Sequence, residues 1–251
     1  MTSTRSAERA SQRAVFGVSA LLFAASAALT IVWCASMSAT GGMPMPGGWT
    51  MSMAWMRMPG QTWPGALTSF VGMWVVMMVA MMLPPLWPAL AGFRRSRLVA
   101  LAGAGYFSVW ALGGAGVFAV GSAVARTELH WPAVARLVPL GAAAALLAAG
   151  AIQVSPWKVR QLVLCRACCA PARGDAAAAW LHGVRFGANC TLCCAGLMGV
   201  LLVGGMMNIA VVAGLAVAIA AERLGPRPDL VARAIGVAVM ATGAVLLARA
   251  V

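Results

Sequence analysis

Six of the seven cysteines lie in two short clusters of the same C-x-x-C-C form, which are Cys165, Cys168 and Cys169, and Cys190, Cys193 and Cys194. Paired thiolates at this spacing can close on one soft metal ion. Positions i, i+3 and i+4 share one face of a helix, so the second triplet projects together, and Met198 continues that face. Small buried hydrophobes are the ordinary alternative for cysteine. Two triplets together favour a metal or redox site.

Methionine supplies a second set of sulfur atoms, because 12 of the 17 methionines lie between Met37 and Met82. In an extended chain, residues i and i+2 point to the same side, so each M-x-M pair can offer two thioethers to one ion. Thioethers carry no proton and, like thiolates, select Cu(I). Proline and glycine predict an irregular loop here, and its tryptophans read as an interfacial belt. The three pairs are Met43 and Met45, Met51 and Met53, and Met56 and Met58.

A further methionine group lies in the apolar run that follows this loop. Its members share one side of a helix, and they are Met73, Met77, Met78, Met81 and Met82. Core packing is the ordinary role of such a stripe. Beside a methionine-rich loop and two cysteine triplets, a path for a soft metal through Met73, Met77 and Met81 is an equal hypothesis.

Composition places these sulfur atoms in a membrane protein. The chain is 62% hydrophobic and 9% charged, whereas a soluble domain carries about 25% charged residues. The net charge of +13 is scattered between apolar runs, without the basic stripe of a nucleic-acid module. We therefore expect the lipid bilayer, a metal ion and a copper chaperone or membrane enzyme as partners, and no nucleic acid.

The apolar runs predict an all-α, polytopic bundle of about seven transmembrane helices, or six if one does not cross. The sixth run is short, and the fifth and sixth could form a helical hairpin that does not fully cross. The first run follows three arginines, but its length favours a retained anchor over a signal peptide. The predicted spans are 15–37, 68–91, 98–124, 134–153, 183–204, 207–221 and 232–250.

Basic residues orient this arrangement. With the N-terminus in the cytoplasm, 14 of the 18 basic residues fall inside, as the positive-inside rule requires. The division is then a cytoplasmic tail, 1–14, and one membrane domain, 15–251, with a methionine-rich outer loop, 38–67, and a cysteine-containing cytoplasmic loop, 154–182. Both cysteine triplets face a reducing compartment, which favours thiols over structural disulfides. The expected location is a bacterial inner membrane.

Two motifs resemble those of a bacterial family of uncharacterised integral membrane proteins, described as predicted metal-binding with a domain of unknown function. The first is an MW-x-x-MM-x-AMMLP run that extends from Met73 to Pro84. The second is a C-x-x-CC-x-x-LM block, matched by Gly187, Cys190, Cys193, Cys194, Leu197 and Met198. The resemblance covers roughly residues 34–250 and implies metal binding.

Together these features favour an integral membrane protein that binds Cu(I) in copper transport, delivery or homeostasis. No phosphate-binding loop, Ser-His-Asp set or paired carboxylates indicate an enzyme. A membrane thiol–disulfide oxidoreductase using the C-x-x-C pairs and a non-catalytic assembly subunit remain alternatives. Zinc is the rival metal, because Cys168 and Cys190 have nearly the spacing of a zinc ribbon, but zinc does not explain the thioethers.

Overall fold

The computed structural model describes residues 2–39, 41–58, 60–90, 96–167 and 175–250, and the side chains of all of these except 2–13 and 167. The described chain is almost entirely helical, which confirms the all-α polytopic bundle. Its eight helices are α1 (Thr2–Ala39), α2 (Trp63–Leu90), α3 (Ser96–His130), α4 (Pro132–Val154), α5 (Pro156–Ala167), α6 (Ala176–Gly204), α7 (Ile209–Leu224) and α8 (Pro228–Ala250).

Six of the described helices are long and apolar enough to cross a membrane, namely α1 from Ala14 onward, α2, α3, α4, α6 and α8. The remaining two are shorter. Helix α7 has 16 residues, about 24 Å at 1.5 Å per residue, against a hydrocarbon core of about 30 Å. Helix α5 has 12 residues and lies within the loop predicted at 154–182.

Pairwise contacts give the directions in which the helices run. Trp74 of α2 donates its indole N–H to the carbonyl oxygen of Trp110 of α3 at 3.1 Å, and Phe70 packs on Phe118, so α2 and α3 are antiparallel. Helices α4 and α8 are also antiparallel, since Gly150 meets Gly236 while Gly243 meets Ala143 and Leu147.

Helices α3 and α6 run in the same direction and touch through their backbones. Gly183 faces the Ala102 carbonyl, and Gly187 faces the Tyr106 carbonyl one turn further along α3, which gives the shared direction. Gly105 faces the Trp180 carbonyl, and an added Cβ at Gly105 or Gly183 would overlap the oxygen. Small residues of this kind allow membrane helices to approach closely. The run 113–116 also consists of small residues; its Gly114 receives the Trp74 ring, but Gly113 and Gly116 face open space.

The methionine-rich segment between α1 and α2 contains a β-hairpin. Strand β1 (Met43–Met45) pairs antiparallel with β2 (Trp49–Met51), and Met43 lies opposite Met51. Gly47 and Gly48 form the turn with φ of 103° and 77°, values that glycine tolerates without strain. The prediction of an irregular loop is therefore wrong for residues 43–51.

The hairpin is fixed against the ends of α3 and α4. The Trp49 indole donates to the Ala135 carbonyl oxygen at 2.9 Å, and the Trp55 ring lies directly on Gly121. We call this the hairpin end of the bundle. The opposite end, where α5 begins and α7 finishes, is called the cysteine end.

The predicted tail, 1–14, belongs to α1 from Thr2 onward, where this helix begins.

Candidate metal centre

Four buried cysteines from two helices meet at the cysteine end. Cys165 lies in the last turn of α5, and α6 contributes the others, which are Cys190, Cys193 and Cys194. Each of the four side chains is at most 1% exposed, and none of the four forms a disulfide. The Cys165 thiol forms hydrogen bonds with Cys190 and Cys193, so the triplet on α6 and one cysteine of α5 share a single site.

The sulfur atoms surround the guanidinium of Arg223, near the end of α7. Its Nη1 donates to the Cys190 Sγ at 2.7 Å, and its Nη2 donates to the Cys165 Sγ at 2.6 Å. The planar fork of an arginine can donate to two acceptors at once. A buried cation held by two sulfur atoms favours their thiolate forms. Arg223 thus links the three helices that build the site.

Aromatic residues close the site on the side of α3. The Tyr106 hydroxyl donates to the Cys190 Sγ at 2.9 Å, and Tyr106 is fully buried. The Phe186 ring packs against Tyr106 and lies 5.3 Å beneath the Arg223 guanidinium. Exclusion of water by these rings strengthens the electrostatic attraction between Arg223 and the sulfur atoms.

A second buried charge network adjoins the cysteines. The Lys158 Nζ lies 2.7 Å from Glu222 Oε2, with both side chains at most 1% exposed. The same ammonium donates to the Cys193 carbonyl oxygen at 2.8 Å, and the Gln153 amide donates to Glu222. Buried ions persist only when each is paired and hydrogen-bonded. The network therefore fixes α4, α5, α6 and α7 relative to one another around the site.

The environment shifts two ionisable groups that lie outside the long apolar helices. Hydrogen bonds with Cys190 and Cys193, together with burial, raise the pKa of the Cys165 thiol. Burial likewise raises the pKa of Glu222, while the Lys158 ammonium opposes that rise. Burial and the neighbouring groups named above together cause both pKa shifts.

The structure brings some of the predicted ligands together and leaves others apart. Met198 is buried on α6, within the same core as the cysteines. Cys168 and Cys169 lie outside the described residues. The stripe on α2 enters this core through Met77, Met78, Met81 and Met82, whereas Met73 is only partly buried. The antiparallel pairing of α2 with α3 puts the four buried methionines beside the half of α3 that carries Tyr106.

The hairpin methionines form a separate group. Met45 and Met51 are buried with Ala125 and Ala135, and Met43 and Met56 pack against them. Met53 lies outside this cluster and is half-buried, while Met58 is 54% exposed. Tyr106 and Gly121 mark the two groups on α3, and 15 residues separate them, which is about 22 Å of helix. Met43 and Met45, two residues apart on β1, lie in one cluster as their spacing predicts, whereas Met51 joins them through the strand pairing and without its predicted partner Met53.

The donor set at the cysteine end consists of thiols beside a buried guanidinium. Within the described ranges, no group of three or more His, Cys, Asp or Glu side chains is placed so that it could hold a metal ion, and the Arg223 guanidinium lies between the Cys165 and Cys190 thiols. Sulfur donors prefer Cu(I) among the common biological metals. Copper in this site would be cargo, coordinated by thiolates beside a fixed positive charge.

Comparison with known proteins gives a family. Residues 71–246 match the family model PpoB2, described as a copper chaperone. The chain belongs to this family. The match covers α6 with its three cysteines and α7 with Arg223, and it begins after the hairpin. No curated protein and no solved structure matches the chain. A role connected with copper is therefore established, in agreement with the metal suggested by the sulfur-rich sequence.

Sequence reasoning missed the charged residues of the site. The sequence indicates a role for Lys158 and Arg223 only as cytoplasmic charges that orient the chain, and it indicates no role for Glu222. The useful signal was the Glu222-Arg223 pair directly after an apolar run, since ionisable residues at membrane depth usually serve a site. Tyr106 offered no signal by its type or spacing.

Proposed function

We propose that this protein is a membrane copper chaperone that holds Cu(I) between thiolates at the cysteine end of its bundle. The observation that carries the proposal is the convergence of Cys165 and Cys190 on one guanidinium, with Cys193 hydrogen-bonded to Cys165 and Cys194 beside them. Few structural requirements bring four free thiols and a buried cation together, whereas a soft-metal site needs both sulfur donors and control of charge.

The charges of the site favour a monovalent metal. Arg223 and Lys158 are positive and Glu222 is negative, so the buried groups carry one net positive charge before any thiol ionises. Two thiolates and one Cu(I) together add one negative charge, which leaves the site neutral. A divalent ion such as Zn²⁺ with the same two thiolates would leave an uncompensated charge in a buried region, which is costly.

The orientation belongs to the same proposal. The positive-inside rule puts the cysteine end at the cytoplasm and the hairpin end outside, in a bacterial inner membrane. Thioethers of Met43, Met45 and Met51 then lie where external Cu(I) arrives, and the buried stripe on α2 lies between the two ends. The protein handles copper without an enzymatic step of its own, and passes it to a copper chaperone or membrane enzyme.

Metal analysis of purified protein tests the proposal. The protein is prepared in detergent under anaerobic, reducing conditions, loaded with Cu(I), and compared with a variant in which Cys190, Cys193 and Cys194 are serine. We expect copper in the parent and loss of most of it in the variant. Cys34→Ser is the matched control, because Cys34 is also buried but lies on α1. Equal copper in the triple variant and the parent contradicts the proposal.

The oxidoreductase alternative predicts a different outcome. Cys165 and the α6 thiols are close enough to hydrogen-bond, so oxidation could join two of them. Redox cycling would appear as a disulfide that forms and is reduced during turnover, with no dependence on copper. Titration of free thiols with and without Cu(I) separates the two functions, since bound Cu(I) protects thiols while leaving them reduced.

A further inference from the structure

A cavity at the cysteine end opens beside one ligand of the proposed copper site. It has a volume of about 270 Å³, and it is lined by Pro85, Pro88, Cys165, Arg166, Arg223 and Leu224. The deeper cysteines of α6 do not line it. Among the cysteines that the structure describes, Cys165 is therefore the one that borders this cavity.

Two of the residues that line the cavity, Arg166 and Arg223, are positively charged. Arg223 reaches Cys165 from α7. Arg166 is anchored by donating to the Gly225 carbonyl oxygen at 2.6 Å and to the Glu222 carbonyl oxygen at 3.3 Å. No acidic side chain appears among the lining residues that the structure describes. The charge of Arg223 is balanced within the proposed copper site, so the Arg166 guanidinium is the fixed charge that attracts anions into the cleft and raises their local concentration.

The wall opposite these arginines is rigid. Pro85 and Pro88 lie in the last turns of α2, and a proline ring fixes its own φ. Leu224 is 53% exposed at the rim. A cavity of this volume is slightly smaller than the usual range of about 300–1,000 Å³ for ligand sites. It therefore suits a small molecule and not a folded domain.

We propose that this cavity is an exchange port at which a small thiol that also carries a carboxylate takes Cu(I) from Cys165. The proposal rests on the proposed function for its copper step. The incoming thiolate forms a Cu–S bond as the bond between copper and the Cys165 Sγ breaks. Copper keeps its oxidation state, no electron is transferred, and the released Cys165 thiolate stays paired with the Arg223 guanidinium.

The first experiment measures copper removal from the loaded full-length protein in detergent. The probes are 3-mercaptopropionate, 2-mercaptoethanol and cysteamine, which are anionic, neutral and cationic, at equal thiolate concentrations. We expect the anion to remove copper about ten times faster than the cation, because steering by a charged cleft changes rates by about 10- to 1,000-fold. Equal rates for the three thiols overturn the proposal.

Two variants locate the port. Leu224→Trp should fill the rim and slow removal by all three thiols at least fivefold, with the equilibrium affinity for copper unchanged. Leu112→Trp is the matched control, because Leu112 is 75% exposed on α3 and does not line the cavity. Arg166→Gln should reduce the preference for the anion, and Arg166→Lys should retain it. Identical rates for both tryptophan variants contradict the port.

A second readout needs no copper, so it separates this proposal from the proposed function. Metal-free protein is treated with sulfonate-bearing or trimethylammonium-bearing methanethiosulfonate, and the label is read on the tryptic peptide 161–166, whose one cysteine is Cys165. We expect the sulfonate reagent to label faster and Leu224→Trp to suppress it. Faster labelling by the cationic reagent overturns the port even if the protein binds copper. If the protein binds no copper but the anionic reagent still labels faster, only the proposed function is overturned.

An acidic peptide distinguishes a small thiol from a protein donor. The peptide carries one cysteine between two aspartates, with glycine-rich arms that are too long for the cavity. Slower copper removal by the peptide than by 3-mercaptopropionate supports the small-molecule assignment. Faster removal by the peptide overturns it.

Discussion

The two ends of the bundle are both rich in sulfur, yet they are built on different principles. At the cysteine end, the Arg223 guanidinium donates to the Cys190 and Cys165 sulfur atoms. Beside them, Lys158 pairs with Glu222 and donates to the Cys193 carbonyl oxygen. At the hairpin end, thioethers pack against alanines and tryptophans, and no described charge bonds to them. Thiolates require counter-charges when buried, whereas thioethers require only apolar contact. Under the proposed function, this difference predicts that the cysteine end retains copper and that the hairpin end contacts it only weakly.

The largest expected effect concerns the stability of the cysteine end. Lys158→Met leaves the Glu222 carboxylate buried without its partner, which should cost about 3–5 kcal/mol of the free energy of unfolding. Thermal unfolding in detergent measures the loss. The double variant Lys158→Met, Glu222→Gln should regain much of it, because the unpaired charge is gone. A double variant as unstable as the single one would show that the ion pair is not the cause.

Arg223 tests whether the guanidinium supports or opposes copper binding. Arg223→Gln removes a charged donor worth about 1.5–3 kcal/mol per hydrogen bond, so Cu(I) affinity should fall by about one to two orders of magnitude. Arg223→Lys should lie between the two, since it retains the charge but not the fork. Competition against a chromogenic Cu(I) chelator measures all three. Tighter binding by Arg223→Gln would mean that the guanidinium competes with the metal.

Gly121 tests whether the two ends are independent. A Cβ at Gly121 would overlap the Trp55 ring, so Gly121→Ala should loosen the hairpin at a cost of about 1–3 kcal/mol. Cleavage by trypsin after Arg57 should become faster, while copper retained at the cysteine end should not change. Gly113→Ala is the matched control, because Gly113 lies on the same helix and faces open space. Loss of copper in Gly121→Ala alone would couple the ends.

The smallest change in stability is expected from the methionines themselves. Replacing Met43, Met45 and Met51 by leucine nearly preserves apolar volume, so each change should cost less than about 1.5 kcal/mol. Copper uptake by cells should fall at low external copper, where capture limits the rate, and recover at high copper. Met77→Leu with Met81→Leu should lower the maximum rate at every concentration. Parental behaviour of both variants would assign these methionines to packing alone.

The helices could be predicted from the sequence because each span is a local property. Hydropathy over about 20 residues located every long helix, because the bilayer imposes both length and composition. It also located the shorter helix α7. The hairpin was missed, although the glycines between two M-x segments are a turn signal. The methionines and prolines of this segment do not form a recognisable strand pattern, and each strand is only three residues long.

The candidate site could be predicted only in part, because its partners are distant in sequence. The shared face of Cys190, Cys193 and Cys194 follows from helix geometry, and Cys165 followed from its matching motif. The roles of Arg223 and Tyr106 depend on how α7 and α3 pack against α6, which no local pattern records. Lys158 was assigned to orientation because a lysine beside an apolar run usually marks the cytoplasmic side.

The parallel contact between α3 and α6 has a consequence for how the protein is made. Gly183 follows Gly105 by 78 residues, so at roughly 5–20 residues per second the ribosome delivers it about 4 to 16 seconds later. During that interval the face of α3 that bears Tyr106 has no permanent neighbour. Arg223 emerges later still, and the thiols cannot acquire their counter-charge before it does. The order of synthesis therefore ensures that a nascent chain lacks the complete copper site until nearly all of its helices are in place.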